Sequence, residues 1–181
     1  DSEKKIVNVA FSDDGYLVMM SDGTVKAFDE AGFIIRLTDR NGNTIGISRN
    51  PDEKINYIET SFGEKYRFEY SGRFISKITN ERSLDESISY GYSGNSLVSV
   101  KDTDGDTVTM TYDSEGRMTA LNKCDGSSVR FEYGEQTADG FVLTTATVNE
   151  EGYAEHFEYD RSGMRTVYID HDGNRTCYWY D

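Results

Sequence analysis

Polar and apolar residues alternate strictly in a series of short segments along the chain. In each segment the apolar residues stand three, five and seven positions after a glycine, with polar residues between them. Three such triplets are Tyr66/Phe68/Tyr70, Val108/Met110/Tyr112 and Val129/Phe131/Tyr133. Because successive side chains of a β-strand point to opposite faces, each segment is predicted to be a half-buried strand with one aromatic face and one polar face.

A second class of segment carries its apolar residues three positions apart. These pairs are Leu17/Met20, Ile34/Leu37, Ile55/Ile58, Leu97/Val100 and Met118/Leu121. In a regular strand this spacing places the two side chains on opposite faces of the sheet. Either a β-bulge lies between the two residues or the strand is covered on both sides, and the sequence leaves both alternatives open.

The two classes alternate within a unit that recurs about every 21 residues, and an aromatic residue before a turn marks the unit. These marker residues are Phe11, Phe28, Tyr70, Tyr92, Tyr112, Tyr133, Tyr159 and Tyr180, with Arg49 in the equivalent position of one further unit. The turns carry Asp-Gly or Asn-Gly, as in Asp39–Gly42 and Asp102–Gly105, and such pairs supply the positive φ that tight hairpins require.

These patterns predict an all-β fold for residues 1–181 as a single domain. Its architecture is a single antiparallel β-meander of about 17 strands, built from eight ~21-residue hairpin repeats. Lys5–Phe11 is predicted to be a lone strand of the alternating class, and Glu135–Gly140 is predicted to be an insertion between units. An open twisted sheet rarely exceeds ~10 strands without curling or splitting. We therefore expect a rolled, barrel-like or spiral sheet, and the sequence does not decide whether it closes.

Composition narrows the classes of partner and site. Nineteen basic against 33 acidic side chains give a net charge of −14, which argues against nucleic acid or an anionic membrane surface as partner. Thirteen tyrosines and nine phenylalanines argue against disorder. Cys124 and Cys177 fit no metal-ligand spacing and are predicted to be free thiols.

Candidate catalytic and metal-binding residues have simpler structural interpretations. His156 lies on a predicted strand and His171 in a turn, without a scaffold for a catalytic triad. The acidic turns, Asp102/Asp104/Asp106 and Asp170/Asp172, place glycine fourth, whereas a calcium loop of the EF-hand type places it sixth. Glu69, Glu132 and Glu158 recur with the repeat, which favours a solvated charged face over an acid/base pair. We expect no enzyme, cofactor or metal.

The aromatic register is the one constellation with potential for ligand binding. Its candidate ligand-binding residues are Tyr70, Tyr92, Tyr112, Tyr133, Tyr159 and Tyr180, with Phe68, Phe131 and Phe157 beside them. The structural interpretation is filling of the interior plus hydroxyl hydrogen bonds at strand ends, and the functional one is an aromatic-lined cavity. Trp179 falls on the opposite face of the last strand, where it is exposed at an edge or covers that edge.

The unit from Tyr112-Asp113-Ser114-Glu115-Gly116-Arg117 through Asp125-Gly126 to Phe131-Glu132-Tyr133 resembles the YD repeat, also called the RHS repeat. The likeness extends over eight units, from about Phe11 to Asp181. The turn is shortened at Ser71-Gly72 and at Ser93-Gly94, and Arg49 replaces the aromatic residue in its unit.

This resemblance implies a bacterial protein outside the cytoplasm, at the cell surface, as an outer-membrane lipoprotein or as a secreted protein. It also implies a structural or binding module for a carbohydrate or a cell-surface protein. The alternative is a carrier that holds a lipid or other apolar ligand in an aromatic-lined lumen, as in small lipoproteins with such repeats, and a glycosidase is a distant alternative. Asp1-Ser2-Glu3 would suit the start of a mature chain directly after a lipobox cysteine.

Overall fold

A computed structural model describes residues 5–13, 15–135, 144–149 and 151–180 of the chain. These segments form seventeen β-strands and contain no α-helix, which confirms the predicted fold class and strand number. In the described segments there is no helix of the length and apolar character needed to cross a membrane. The start Asp1-Ser2-Glu3 and most of the predicted insertion Glu135–Gly140 lie outside the described residues.

The chain divides into two compact units, Asp1–Ser89 and Tyr90–Asp181. The first unit contains β1 (Ile6–Ser12), β2 (Gly15–Met20), β3 (Val25–Phe28), β4 (Ile34–Thr38), β5 (Thr44–Arg49), β6 (Ile55–Thr60), β7 (Lys65–Ser71) and β8 (Phe74–Asn80). The strand β9 (Ser87–Ser93) belongs in part to each unit. The second unit contains β10 (Ser96–Lys101), β11 (Thr107–Tyr112), β12 (Met118–Asn122), β13 (Ser128–Tyr133), β14 (Thr144–Val148), β15 (Ala154–Asp160), β16 (Arg165–Ile169) and β17 (Arg175–Trp179).

All seventeen strands belong to one antiparallel sheet, as the sequence predicts. The pairs whose register is described join strands that are consecutive in the sequence, so each hairpin repeat pairs with the next. The odd-numbered strands are the alternating class: β7, β11 and β13 have half-buried aromatic and apolar residues between exposed polar ones. The rolling of this sheet and the single domain stay predictions.

The hairpin turns are built by one side chain that accepts two backbone hydrogen bonds. In the β4–β5 turn, Asp39 Oδ1 accepts the amides of Asn41 and Asn43, both at 2.8 Å. The Asp39 carbonyl also accepts the amide of Gly42, whose φ of 86° lies in the left-handed region. The same bonds recur from Asp113 and Asp170. The Asp-x-x-Gly motif is therefore a hairpin device, as the spacing indicates.

β-Bulges explain three of the five apolar pairs in the second class of segment. The register between β13 and β14 passes from Glu132–Ala146 to Tyr133–Thr144, so one extra residue of β14 has no opposite partner. The same shift occurs in β4, β6, β8 and β12, each time opposite the last residues of the preceding odd strand. Because the extra residue restores the facing of the residues beyond it, the pairs Ile34/Leu37, Ile55/Ile58 and Met118/Leu121 each lie on one face.

The most buried side chains are small, and they lie on the polar face of the sheet. Among the described residues the buried apolar side chains are Ala27, Ala146 and Val167. Val167 pairs with Glu158 on one side and Cys177 on the other, and an ion pair from Glu158 to Arg175 spans the same three strands. Long charged side chains therefore cover the small ones with their aliphatic stems.

Candidate functional site

The aromatic face contains eight of the nine predicted ligand-binding residues in half-buried positions, and Tyr180 is exposed. Four of the tyrosines share one interaction: the hydroxyl donates a hydrogen bond to the backbone carbonyl fifteen residues earlier. These bonds are Tyr70 to Ile55 (2.9 Å), Tyr112 to Leu97 (2.7 Å), Tyr133 to Met118 (2.7 Å) and Tyr159 to Thr144 (2.9 Å). The structure therefore assigns the marker tyrosines a role in holding strands together.

The acceptor carbonyls lie where the ladder between two strands has ended. In β12 and β13 the last described pair is Ala120 with Arg130, and Met118 is two residues beyond it. A carbonyl at such a position needs another donor, and the Tyr133 hydroxyl provides one. Burial, together with the neighbouring Tyr180, raises the pKa of Tyr159 above its ordinary value. These hydroxyls are engaged by the protein itself, so any ligand at the tyrosines would contact their rings.

Cations of the repeat lie over two of these rings. Lys54 Nζ lies 5.1 Å from the centre of the Tyr70 ring, and the Arg117 guanidinium lies 5.2 Å from that of Tyr133. In both pairs the cation precedes the aromatic residue by sixteen positions. Arg49, which replaces the tyrosine of its unit, reverses the arrangement, because its guanidinium lies 4.8 Å from the ring of Phe33, sixteen positions before it. The unit without a marker aromatic thus keeps the cation–π contact.

A polar pocket of about 150 Å³ opens on the aromatic face of the second unit, and sequence reasoning missed it. Its lining residues are Val129, Thr147, Asn149, Tyr153, Glu155 and His171. Glu155 faces the aromatic side because it pairs with Thr147, which pairs with Phe131. Its Oε1 accepts the Tyr168 hydroxyl at 2.8 Å, and its Oε2 accepts the Thr147 hydroxyl at 3.2 Å. The bond to Glu155 raises the pKa of Tyr168.

Tyr153 and His171 form one wall of this pocket. Their ring centres are 4.8 Å apart, and the rings are tilted by 45°. His171 Nε2 lies 3.4 Å from Asp172 Oδ2, and the Asn149 side chain accepts the amide of Tyr153, which fixes the start of β15. Two turns therefore present an aromatic ring and an imidazole beside the Glu155 carboxylate. His171 was predicted to be a turn residue, and the structure places it in the turn and at this pocket.

A second pocket beside it is lined by Phe157, Thr166, Tyr168 and Tyr178, with a volume of about 160 Å³. Phe157 is one of the predicted ligand-binding residues, and its ring centre is 5.6 Å from that of Tyr168. Tyr168 links the two pockets, since its ring lines this one and its hydroxyl reaches Glu155. The aromatic face of the second unit thus offers a polar recess next to an aromatic one.

The first unit has a larger, more apolar pocket of about 390 Å³ at one rim of the sheet. Its apolar walls are Leu37, Ile45 and Phe62, the last of which is 70% exposed. Threonines and the Asp39–Asn43 turn form its rim, and bonding by the Asn43 side chain lowers the pKa of Asp39. None of the nine predicted residues lines it.

The polar face carries the residues that sequence analysis considered for catalysis. Glu158 is ion-paired with Arg175, and Glu69 and Glu132 are exposed. His156 is exposed on the same face, opposite Ala146. Cys124 and Cys177 are exposed free thiols, and a hydrogen bond with Asp106 raises the pKa of Cys124. In the described part of the chain, no group of three or more His, Cys, Asp or Glu is placed to hold a metal ion.

Comparisons with known proteins agree with this repeat architecture. The chain matches the family model named Teneurin YD-shell over residues 16–180. Similar solved structures are TcdB2-TccC3-TEV and TcdB2-TccC3-Cdc42, each 16% identical over 92% of this chain, with TM-scores of 0.52 and 0.54. A Tc holotoxin pore of Photorhabdus luminescens is also 16% identical over 92% of this chain, with a TM-score of 0.50.

The chain spans about a tenth of the length of each of these three solved chains, since the matches cover 10% of them. At this level of identity the likeness shows the fold alone. No curated protein sequence matches the chain significantly.

Proposed function

Because the chain belongs to the Teneurin YD-shell family, we propose that it is a non-enzymatic β-repeat module that acts outside the cytoplasm and joins a protein partner through its terminal strands. The sheet of hairpin repeats is a structural module, and charged groups such as Asp39 and Glu158 are engaged in turns and surface ion pairs. The neighbours are Tc toxin components, which favours assembly with protein over other kinds of partner.

The observation that carries this proposal is the exposure of large apolar residues on the terminal strands. On β1 the side chain of Phe11 is 91% exposed and that of Ile6 is 63% exposed. On β17 the side chain of Trp179 is 70% exposed and that of Tyr178 is 56% exposed. A strand with an exposed apolar edge pairs readily with a further β-strand. The favoured partner is therefore a protein that adds a β-strand.

Self-association tests this role, because a second copy provides a strand of the same repeat class. Analytical ultracentrifugation across a concentration series is expected to show concentration-dependent association of the chain. Trp179→Lys places a charge on the apolar edge and is expected to weaken that association at least about tenfold, the effect of losing ~1.4 kcal/mol. Leu84→Lys is the matched control, since Leu84 is 74% exposed but lies in the turn between β8 and β9.

Two results would contradict assembly through the terminal strands. One is a chain that stays monomeric throughout the series and takes up no peptide copying residues 175–179. The other is an equal effect of the Trp179 and Leu84 substitutions, which would show that any exposed apolar side chain drives the association. Circular dichroism of each variant separates loss of association from loss of folding.

The apolar pocket of the first unit favours a second candidate function, the carriage of a small apolar ligand. Its volume of about 390 Å³ falls in the range of small-molecule sites. An apolar fluorescent probe is expected to bind the native chain, and Phe62→Ser is expected to abolish that binding while Phe11→Ser leaves it unchanged. Absence of probe binding would end the carrier hypothesis at this pocket.

Two further parts of the proposal concern the location of the protein in the cell and its ligand. A position at the bacterial cell surface, whether as an outer-membrane lipoprotein or after secretion, and a glycan ligand on the polar face stay part of the proposal. Fractionation of cells that produce the protein tests the first. A glycan array tests the second, and the same array with a turnover assay tests the non-enzymatic assignment.

A further inference from the structure

The polar pocket at Glu155 departs from the repeat that surrounds it. Glu155 stands three residues after the turn glycine Gly152, on the aromatic face. The residues at that place after the other turn glycines are Lys26, Ile45, Tyr66, Val108, Val129 and Thr176, and none of them is acidic. A departure of this kind within otherwise regular repeats points to a function other than folding.

The carboxylate of Glu155 is half-buried without a cation to neutralise it. It accepts two hydroxyl hydrogen bonds, from Tyr168 and Thr147, whereas a carboxylate has about four acceptor positions. In the part of the chain that the structure describes, no lysine or arginine forms an ion pair with it. A half-buried charge is costly unless it is paired, so this carboxylate favours an external cation.

The rest of the pocket suits an organic cation of modest size. Tyr153 provides an aromatic ring beside the carboxylate, and rings attract ammonium groups through their π-face. Asn149 and Thr147 add polar groups, and Val129 provides an apolar floor for alkyl carbons. A volume of about 150 Å³ admits the end of an alkylammonium chain. Asp170 and Asp172 flank His171, so the surrounding charge is predominantly negative.

We propose that the pocket formed by Thr147, Asn149, Tyr153, Glu155 and His171 binds an organic ammonium group. The carboxylate of Glu155 is the counter-ion, and the Tyr153 ring forms the wall against the alkyl and ammonium carbons. The group comes either from a lysine side chain or from a small free ammonium compound, because both present a positive charge at the end of a short alkyl chain. This site uses the aromatic face of β13–β15, and it does not depend on assembly through the terminal strands.

Paired charged and neutral ligands test the proposal. The probes are choline with its uncharged isostere 3,3-dimethyl-1-butanol, and acetyl-lysine-amide with acetyl-norleucine-amide. NMR titrations follow the shifts of Tyr153, Glu155 and His171. Each ammonium ligand is expected to bind at least about tenfold more tightly than its neutral counterpart, since attraction to a partly shielded carboxylate is lost in the isostere. The choline arm represents a small free quaternary ammonium compound and the lysine arm a primary ammonium on a peptide side chain, so the two arms distinguish these sources.

The variants separate this pocket from the general acidity of the chain. Glu155→Gln keeps the acceptor for Tyr168 but removes the charge, and it is expected to weaken ammonium binding at least about tenfold. Glu132→Gln is the matched control, because it changes the net charge equally from the exposed face of β13. Tyr153→Phe is expected to retain binding and Tyr153→Ala to lose it, because the ring and not the hydroxyl forms the wall.

The proposal is overturned if the neutral isosteres bind as tightly as the cations, or if Glu132→Gln weakens binding as much as Glu155→Gln. The second result would show that the net charge of −14 gathers cations without a defined site. If Glu155→Gln fails to fold, the Tyr153 pair decides the matter, since Tyr153 is 52% exposed in a turn and tolerates substitution more readily. Equal binding by Tyr153→Ala and Tyr153→Phe would then overturn it.

Discussion

At the scale of single residues, the repeat keeps its contacts even where it changes its amino acids. Lys54 with Tyr70 and Arg117 with Tyr133 place a cation over a ring, sixteen residues apart. Phe33 and Arg49 have exchanged the two partners and keep the contact at 4.8 Å. In these three units the position holds an aromatic–cation pair, and either member of the pair can occupy either site.

The exchanged pair Phe33 and Arg49 allows a prediction about the stability of variants at these two positions. Phe33→Arg and Arg49→Ala, made singly, are each expected to destabilise the first unit by about 1 kcal/mol, because each removes the cation–π contact. Arg49→Ala also removes the hydrogen bond from the guanidinium to the Glu53 carbonyl. The double variant Phe33→Arg/Arg49→Tyr is expected to recover most of the loss. It restores the usual order, and its new hydroxyl can donate to the Ile34 carbonyl, fifteen residues earlier. Urea unfolding followed by circular dichroism measures the free energies.

The control for this cycle is Arg49→Tyr in the natural Phe33 background, which brings the hydroxyl without a cation. The losses in the free energy of unfolding caused by Phe33→Arg and by Arg49→Tyr are added and compared with the loss in the double variant. If the double variant loses as much as this sum, the contact at this position does not depend on pairing an aromatic with a cation. The position would then be explained by the size of the side chains alone.

One turn residue is held in a conformation that suits glycine better. Glu53 in the β5–β6 turn has a φ of 63°, where the equivalent residue of other turns is glycine. A side chain in the left-handed region costs roughly 1 kcal/mol, so Glu53→Gly is expected to raise the free energy of unfolding by ~0.5–1 kcal/mol. Urea unfolding measures the change. Glu59→Gly, in the extended strand β6, is expected to lower it, and a loss in both variants would contradict strain at Glu53.

At the scale of elements, the aspartates that build the turns tie stability to pH. Hydrogen bonds from Asn43 lower the pKa of Asp39, those of Arg117 lower that of Asp113, and those of Asn174 lower that of Asp170. Because the folded pKa lies below the unfolded value, these carboxylates stabilise the fold above pH ~4. That contribution is lost as the pH falls through the folded pKa.

The triple variant Asp39→Asn/Asp113→Asn/Asp170→Asn removes this dependence but keeps the turns, because Asn50 accepts the same two amides in its own turn. We expect the variant to lose less stability than the natural chain between pH 5 and pH 3, as measured by urea unfolding at each pH. Asp104→Asn is the control, since in the described part of the chain its side chain accepts none of the turn bonds. If the triple variant and the natural chain lose the same stability between pH 5 and pH 3, groups other than these three aspartates cause the acid sensitivity.

The sequence predicts the strands and turns correctly where a two-residue apolar period marks a strand face or an Asp-x-x-Gly motif marks a hairpin turn. The faces of β7 and β13 and the Asp-x-x-Gly hairpins follow from the sequence alone. The bulges do not, because an apolar spacing of three fits both a bulge at Thr119 and a strand covered on both sides. Only the register between two strands, which depends on packing across the sheet, decides between them.

The candidate sites were predicted less well, for a physical reason. Hydroxyl hydrogen bonds of the marker tyrosines at strand ends were anticipated from the sequence, but the carbonyls that accept them were not, because no sequence pattern shows where a ladder ends. Glu155 falls on the aromatic face because of its distance from Gly152, and that departure from the repeat was present in the sequence. The partners Tyr153 and His171 come from two separate turns, so their contact required the structure.

At the scale of the whole molecule, the excess of acidic groups acts on every strand at once. The chain carries 33 acidic and 19 basic side chains, and many of the acids lie in turns. Ion pairs such as that of Arg67 with Glu81 are surface contacts and contribute little, because solvent screens them. We therefore expect self-repulsion among the remaining acids to outweigh the local pairs and to oppose the folded state.

Salt is consequently expected to stabilise this protein. The screening length falls from ~30 Å at 0.01 M to ~10 Å at 0.1 M, which removes long-range repulsion before it weakens contacts within a few ångströms. We predict that the Tm measured by circular dichroism rises between these salt concentrations. Asp104→Lys/Glu115→Lys lowers the net charge from −14 to −10, since each substitution adds two positive charges, and is expected to raise the Tm at low salt and to flatten its rise. A Tm that falls with salt in both proteins would show that the local ion pairs dominate, and the acidity would then be a feature of the turns with no cost to the fold.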